Sequence, residues 1–488
     1  MPPLKISEPA APLHVVFSAE CIPAFDWQSV GLFYSFYHSK QPGRITRLLA
    51  CEDEQLRVYP KVNLEMGPTF VHKNMRYDEM NEAEKLDQYH DGKGRGYASY
   101  NKPYSVMAWL EQRHVEEEMI LMMDTDMFLR APVDPVALGA RRGNVVSAEY
   151  AYLYGTQSGF AKRFLERRLL GRLAQVGGFH IFHREDLRAI APKWLSYTRT
   201  VRAFANAHPE EYFNESIRHD AKLSADEIAV LRKQARWHGE MYGYVFAAAE
   251  VGVTHRIRRD VMLYPGYEPY LGRPPMIMHY GAAYTLGKAY FNKMEHQKLA
   301  LETCPNFLFT DAAIGHVDRL TKKDALSLEH LATMNAAFCA FYANISCRST
   351  PARCSRGKGG GGGGGKGGGG GEAFLEEMRR ARSVIERCVD DHEGCAAWAR
   401  GGECKSNPLF MHAHCAVACG SCDKPVDSLI ATEAEMAMGD WRAKEETQRQ
   451  HELAQALEYI PSAEIDEIEK LEAAIAERRE VLAMKHEL

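Results

Sequence analysis

An apolar run that ends in two acids is the feature that most constrains this sequence. Residues 119–130 read MILMMDTDMFLR, so five apolar residues are followed by Asp124 and Asp126. Continuous apolar strands are typical of parallel sheets that are covered on both faces. Ligands bind beyond the carboxyl ends of such strands, so the acids stand where a ligand site is expected.

Apolar runs of strand length alternate with helical patterns between residues 12 and 300. Strands are predicted at residues 14–18, 45–51 and 119–123, and helices at residues 26–37 and 102–110. Asp26 is placed to cap the first helix, and Pro103 stands in the first turn of the second. This alternation predicts a mostly parallel sheet in a layered α/β domain.

Length and charge narrow the class of protein. A chain of 488 residues is too long for one ordinary core, so we expect one large domain with appendages. The formal net charge of -5 argues against general nucleic-acid binding, which needs a basic face. No apolar run reaches the ~18 residues of a membrane span, so none is predicted.

Changes in composition divide the chain. Glycine, interrupted only by two lysines, fills residues 357–371 and predicts a flexible linker. Six cysteines then crowd between Cys388 and Cys422. The predicted parts are a large domain at 12–300, its C-terminal extension at 301–356, the linker at 357–371, a cysteine module at 387–423 and a charged helical tail at 424–488.

The cysteine density is typical of domains that fold in an oxidising compartment. Sequons for N-glycosylation at Asn214 and Asn344 agree with a secretory route. The start of the sequence contains no signal peptide, so we expect that a natural targeting segment is missing from it. Residues 485–488 read KHEL, which is similar to a KDEL-type retrieval signal and predicts retention in the endoplasmic reticulum or Golgi by its receptor. A chance helix ending is the alternative.

Asp124 and Asp126 suit a divalent cation. Carboxylates one residue apart in an extended turn present oxygens to one hard ion, and Mg²⁺ or Mn²⁺ suits both carboxylate and diphosphate oxygen. Such an ion would neutralise a departing diphosphate. Two solvated acids in a surface turn explain the pair equally well, because Asp-x-Asp also arises by chance.

Nine segments occur in one order along the chain: LHVVFSAEC, FDWQSVGLFYSF, QPGRITRLLAC, NKPYSVMAWL, MILMMDTDMFLRAPVDP, VGGFHIFHREDLRAIAPKWL, GEMYGYVFAAAE, VMLYPGYEP and MHYG. They resemble the peptidyl-serine α-galactosyltransferases of plants and green algae, which are related to the hydroxyproline O-arabinosyltransferases. The match covers about residues 13–300. It implies a Rossmann-like, metal-dependent nucleotide-sugar glycosyltransferase domain of the GT-A type, with a UDP-sugar as donor.

The resemblance also implies site residues. Asp124 and Asp126 match the Asp-x-Asp of the family and, with His279 of MHYG, would bind Mn²⁺ or Mg²⁺. Asp126 and Glu240, the acid of GEMYGY, are the predicted catalytic residues. The predicted donor contacts are Val16, Phe17, Ser18, Asn101, Lys102, Gly177 and Gly178.

These residues also have plainer interpretations. His279 suits a buried core histidine, Val16 a core strand, and the two glycines a simple turn. Glu240 suits an acid that caps a helix. Lys102 suits a solvated lysine, although the helix dipole disfavours a cation at a helix start unless an anion lies near.

A UDP-α-sugar that yields an α-linked product keeps its configuration, and two routes achieve this. A double displacement needs a carboxylate nucleophile, for which Glu240 is the candidate. Front-face attack lets the leaving phosphate take the acceptor's proton, so positioning and electrostatics carry the rate. Spacing indicates no dedicated nucleophile, which favours the front-face route.

The cysteine module resembles the ShK toxin-like (ShKT) domain. So few residues cannot bury enough apolar surface without disulfides, and spacing alone leaves many connectivities open. The resemblance implies the pairs Cys388–Cys422, Cys395–Cys415 and Cys404–Cys419, with a zinc site as the rival. The Lys-Tyr pair of channel-blocking toxins is absent here. Binding of the acceptor protein and inert stabilisation are both open as roles.

Three functions are compatible with these features. The leading prediction is transfer of galactose from UDP-galactose, with retention, onto serine of hydroxyproline-rich glycoproteins. The second is arabinosyl transfer to hydroxyproline, against which the DTDM segment speaks, because the arabinosyltransferases carry a different acid-containing segment there. The third is a non-catalytic protein that binds glycoproteins through the ShKT module, against which the retained Asp124, Asp126 and His279 speak.

Overall fold

A computed structural model describes residues 13–76, 96–217, 228, 231–232, 235–287, 289–309, 320–354 and 372–429. The predicted linker at 357–371 and nearly all of the predicted tail, including KHEL, lie outside these residues. In the part of the chain that is described, no helix is long and apolar enough to cross a membrane.

Strands and helices alternate through the first part of the chain, as the apolar pattern predicts. The strands are β1 (Leu13–Glu20), β2 (Gly43–Cys51), β3 (Thr69–Lys73), β4 (Met119–Met123), β5 (Met127–Leu129), β6 (Asn144–Glu149), β7 (Val176–His183), β8 (Thr254–Ile257), β9 (Met262–Leu263), β10 (Ile277–His279), β11 (Tyr284–Leu286) and β12 (Ala289–Phe291). The helices are α1 (Pro23–His38), α2 (Asp53–Val58), α3 (Lys61–Leu64), α4 (Asn101–Gln112), α5 (Arg184–Ala207), α6 (Pro209–Ser216), α7 (Gly239–Val251), α8 (Lys322–Asn344), α9 (Glu372–Ile385), α10 (Cys395–Arg400), α11 (Glu403–Ser406) and α12 (Pro408–His414).

The main sheet has seven strands in the order β3-β2-β1-β4-β7-β6-β8. Neighbouring strands from β3 to β4 are parallel, and β8 is parallel to β6. β7 is the reversed strand, antiparallel to both β4 and β6. The predicted mostly parallel α/β sheet is therefore confirmed. All five residues of β4 are buried, which explains why this strand is apolar throughout.

A second sheet of three strands, in the order β5-β10-β9, lies beyond the end of β4. β10 runs antiparallel to β5, with His279 opposite Met127. The amide of Tyr280 donates to the carbonyl of Asp126 at 3.0 Å. This pairing brings a distant part of the chain to the turn that carries the acids.

Asp26 does not cap a helix, which corrects the prediction. α1 begins at Pro23, with Ile22 at its N-cap, because proline is well suited to the first helical position. Asp26 is instead buried in the first turn, where it accepts a hydrogen bond from Asn63 at 3.0 Å and another from Tyr59.

Residues beyond 300 form part of the large domain. α8 is buried along most of its length and packs against α1. It shares a core with Phe128 and Tyr280 from the second sheet region. Cys304–Cys347 and Cys339–Cys354 close this region, and Cys21–Cys51 joins β1 to β2.

The cysteine module contains α10, α11 and α12 and three disulfides. They are Cys388–Cys422, Cys395–Cys415 and Cys404–Cys419, so the predicted pairing is confirmed. No cysteine of the module is left as a thiolate for zinc. None of the chain's twelve cysteines is free.

Candidate metal and donor site

The two acids occupy the turn that joins β4 to β5. The hydroxyl of Thr125 between them donates to the carbonyl of Ser18 at 2.6 Å, and the amide of Met127 donates to the carbonyl of Asp124. Asp126 is buried, whereas 26% of the Asp124 side chain is exposed. Both acids are therefore held at the carboxyl end of a buried strand, with one side open to a ligand.

Asp124, Asp126 and His279 form a cluster that fits a divalent cation. Each offers one ligand atom, and these atoms all lie within 4.8 Å of one another. His279 Nε2 is 3.3 Å from Oδ2 of Asp126. The Tyr264 ring packs on the imidazole, with 4.5 Å between ring centroids. Two carboxylate oxygens and one imidazole nitrogen suit Mn²⁺, and the oxygens also suit Mg²⁺.

Two lysines neutralise the acids. The ammonium group of Lys102 lies 2.6 Å from Oδ1 of Asp124, and that of Lys293 lies 2.7 Å from Oδ2 of Asp126. Burial would raise the pKa of Asp126, but Lys293 and His279 outweigh it and hold that pKa well below its usual range. Burial would likewise lower the pKa of Lys102, but Asp124 and Glu240 raise it. The site is thus charge-balanced in this structure.

Sequence reasoning missed Lys293. It follows β12 in a short helical turn, and no motif around it indicates a ligand site. The available signal was that Lys293 lies shortly after the MHYG segment that carries His279. Lysines occur near many sequence motifs by chance, so this position alone does not predict that Lys293 belongs to the site.

Glu240 lies beside Lys102 at the start of α7. Its carboxylate is 3.9 Å from the Lys102 ammonium, so the predicted acid and the predicted donor contact do meet. Its amide donates to the Tyr97 hydroxyl at 3.0 Å, and its carbonyl accepts from the Trp194 indole at 3.0 Å. Burial raises the pKa of Glu240 to about 7, although Lys102 opposes the shift. A substantial fraction of this carboxyl is therefore protonated at neutral pH in this structure.

Asn101 is engaged inside the protein. Its side-chain amide donates to Glu20 at 2.6 Å and to Asn74 at 2.9 Å, and its oxygen accepts from the amide of Met75 at 2.7 Å. These bonds tie α4 to β1 and to the segment after β3. These contacts satisfy the buried side-chain amide of Asn101. A contact between Asn101 and the sugar donor stays a prediction.

Val16 and Phe17 have no exposed surface, and the Phe17 ring packs edge-on against Phe33. Their side chains lie in the core, which agrees with the plainer interpretation of Val16, and a donor contact at either residue stays a prediction. Ser18 is half-buried and contributes its carbonyl to the turn of the acids. Of the three, it is the residue that the structure brings beside the cluster.

Gly177 and Gly178 lie within β7, and aromatic and methionine side chains crowd them. A Cβ at Gly177 would collide with the Tyr150 ring. Gly178 has a φ of +69°, and a Cβ there would lie 2.9 Å from Met262. Tyr150 reaches the cluster through Tyr264, with 3.4 Å between the two hydroxyls. The glycines therefore make room for Tyr150 and Tyr264, which form an aromatic wall beside the cluster. A direct contact of either glycine with a donor sugar stays a prediction.

The fold and the site define a class of protein: a mostly parallel α/β domain with an Asp-Asp-His cluster at the carboxyl end of its central strand. Residues 13–215 match the model of the hydroxyproline O-arabinosyltransferase family N-terminal domain. Residues 387–422 match the ShK domain-like model. Residues 13–215 are therefore similar to the N-terminal domain of this family, and residues 387–422 are similar to a ShK-like module.

Known proteins similar to the chain include two named peptidyl serine alpha-galactosyltransferase. The protein from Chlamydomonas reinhardtii is 31% identical over 84% of this chain and 56% of its own length. The protein from Arabidopsis thaliana is 35% identical over 69% of this chain and 39% of its own length. The chain thus spans about half the length of these relatives. Several relatives named hydroxyproline O-arabinosyltransferase are 24–27% identical.

Among solved structures, mouse xyloside xylosyltransferase 1 matches with a TM-score of 0.30 and 10% identity, over 55% of this chain and 97% of that one.

Proposed function

We propose that this chain is a glycosyltransferase that moves galactose from UDP-galactose, with retention, onto serine hydroxyls of hydroxyproline-rich glycoproteins. The observation that carries the proposal is the convergence of Asp124, Asp126 and His279 within 4.8 Å at the end of a buried strand. The relatives named for galactosyl transfer to serine share 31–35% identity with the chain, against 24–27% for the arabinosyltransferases. This difference favours galactose and serine over arabinose and hydroxyproline.

Asp124, Asp126 and His279 would hold Mn²⁺ or Mg²⁺. When bound, the cation supplies positive charge to the leaving diphosphate. Lys102 and Lys293 place two further positive charges beside the acids. Ser18, Gly177 and Gly178 remain proposed donor contacts, because they border the acid turn and the aromatic wall.

Glu240 is proposed to hydrogen-bond a sugar or acceptor hydroxyl, from its place 3.9 Å from the Lys102 ammonium. Burial raises the pKa of Glu240 to about 7 and Lys102 opposes the shift, so the carboxyl can both donate and accept near neutral pH. The proposed route is front-face attack, because the sequence indicates no dedicated nucleophile. In this route the leaving phosphate accepts the proton of the serine hydroxyl. Positioning then supplies much of the rate.

The proposed compartment is the lumen of the secretory pathway, in the endoplasmic reticulum or Golgi. Its support is that all of the twelve cysteines are in disulfides, which persist in oxidising compartments. The proposed partners are the nucleotide sugar, the glycoprotein acceptor and a KDEL-type receptor.

The test is a panel of UDP-sugars offered with Mn²⁺ and a peptide that contains serine and hydroxyproline, with mass spectrometry of the product. Galactose on serine is expected, and chelation of the metal should abolish it. Asp126→Asn should lower turnover by at least about a hundredfold, because a metal ligand is lost. Asp53→Asn, at an exposed helix position, is the matched control and should leave turnover unchanged.

The other outcomes are distinct. Arabinose on hydroxyproline would replace the proposal by the second function. A folded protein that binds the peptide but transfers none of the sugars would show a non-catalytic binder. Full activity in Asp126→Asn would contradict the proposed role of the metal site.

A further inference from the structure

The ShK-like module is seated on the loop between β9 and β10, residues 264–276. Arg273 of this loop donates to three backbone carbonyls at the end of the module. They belong to Ser421 at 2.5 Å, to Lys424 at 2.7 Å and to Cys422. One guanidinium thus fills three acceptors with its planar set of donors, an arrangement that lysine cannot reproduce.

The neighbouring backbone approaches the module as closely as glycine allows. Gly272 has a φ of +65°, and a Cβ there would lie 2.8 Å from the carbonyl oxygen of Ala413 in the module. The Lys322 ammonium donates to the Gly272 carbonyl at 3.0 Å. The loop is therefore fixed between the module and the start of α8.

A second attachment lies where the chain enters the module. The Arg130 side chain pairs with Glu386, two residues before Cys388, at 3.0 Å and with Glu329 of α8 at 2.6 Å. The Arg130 backbone amide donates to the Met276 carbonyl at 2.7 Å. Both ends of the module are therefore connected to the same loop, one through Arg273 and the other through Arg130.

This loop has the candidate metal site at both of its ends. Tyr264 begins it and packs on the His279 imidazole, with 4.5 Å between ring centroids. β10 follows it and ends in His279, which pairs with Met127 of β5, while β9 pairs with the two residues before it. A change in the loop would therefore act on the Tyr264 ring that packs on the imidazole and on the start of the strand that carries His279.

We propose that the ShK-like module is an intramolecular brace for the candidate metal site, and that Arg273 is the positioning residue that connects them. The module holds residues 264–276, and these residues hold Tyr264 against His279. The inference rests on the proposed function only for the identity of the cation.

The test compares Arg273→Ala and Arg273→Lys in the full chain, with Arg400→Ala as the matched control. Arg400 is exposed at the end of α10 and takes no part in the hydrogen bonds and ion pairs described above. Hydrogen–deuterium exchange should show faster exchange of the amides of residues 264–276 in Arg273→Ala. Binding of Mn²⁺ with UDP, followed by electron paramagnetic resonance, should weaken by about tenfold, as for other changes behind a metal ligand. Arg273→Lys should fall between wild type and Arg273→Ala, and Arg400→Ala should match wild type.

The outcomes separate this inference from the proposed function. Wild-type exchange and wild-type Mn²⁺ affinity in Arg273→Ala would overturn the brace and leave the proposed transferase intact. If the wild-type chain itself binds no Mn²⁺, the proposed metal site fails, and the exchange of residues 264–276 still decides whether the module holds the loop. If Arg273→Ala does not fold, Arg273→Lys decides, because it keeps the charge and loses the planar donor set.

Discussion

Lys293 donates to Oδ2 of Asp126 at 2.7 Å, although 167 residues separate the two in sequence. The ammonium group occupies an oxygen that a divalent cation would also bind. Lys293→Met should therefore tighten Mn²⁺ binding in the absence of nucleotide, by up to about tenfold, or about 1.4 kcal/mol. Turnover should fall, because positive charge beside the diphosphate is lost. Titration with Mn²⁺ and steady-state kinetics measure the two effects.

Lys298→Met is the matched control for this prediction, since Lys298 is exposed and lies close to Lys293 in the sequence. It should change neither quantity. Weaker Mn²⁺ binding in Lys293→Met would show that the lysine supports the cation rather than competing with it.

Glu240→Gln distinguishes the two retaining routes. Glutamine keeps the size and hydrogen bonding of the side chain but cannot be a nucleophile. Under the front-face route, turnover should fall by no more than about a hundredfold to a thousandfold, the cost of one well-placed polar contact. A complete loss in Glu240→Gln, together with a covalent sugar adduct on Glu240 of the wild-type protein by mass spectrometry, would establish a double displacement instead.

Gly177→Ala should destabilise the fold, because its Cβ collides with the Tyr150 ring in a packed interior. Overpacking of this kind costs about 1–3 kcal/mol. Gly159→Ala is the matched control, since nothing lies within 4 Å of a Cβ at that position. Denaturant unfolding of the two variants gives the comparison, and equal stabilities would show that Tyr150 moves aside freely.

His330 should make the fold sensitive to acid. Burial lowers its pKa to about 3, and its Nδ1 lies 2.6 Å from the Tyr284 hydroxyl. The unfolded chain binds a proton at His330 below about pH 6.5, whereas the native chain does not until much lower pH. The free energy of unfolding is therefore not reduced by His330 above pH 6.5. It falls as the pH drops from 6.5 towards 3, by up to about 1.4 kcal/mol per pH unit.

Unfolding free energies between pH 7 and pH 4 test this. His330→Gln should show a shallower loss of stability than the wild-type chain over that range. His208→Gln, at an exposed histidine, should follow the wild-type curve. Parallel curves for all three proteins would mean that His330 titrates alike in the folded and unfolded chains.

Structural features that depend on a short stretch of sequence could be predicted. The apolar run of β4, the acids that follow it and the helix at Lys102 each depend on neighbours a few residues away. The pairing of the module's cysteines followed from the resemblance to the ShKT domain and is confirmed. The cap at Asp26 was wrong because Pro23, three residues earlier, begins the helix.

The partners of the site were decided by tertiary structure. His279 reaches Asp126 across 153 residues only because β10 pairs with β5, and Lys293 follows through the hairpin of β11 and β12. No local sequence pattern predicts that the ShK-like module packs on residues 264–276. The sequence by itself determined the strand, the acids and the disulfide module, because periodicity and spacing are set by near neighbours. Which charges meet at the acids depends on how distant segments pack, and that is settled only when the whole chain buries its apolar surface.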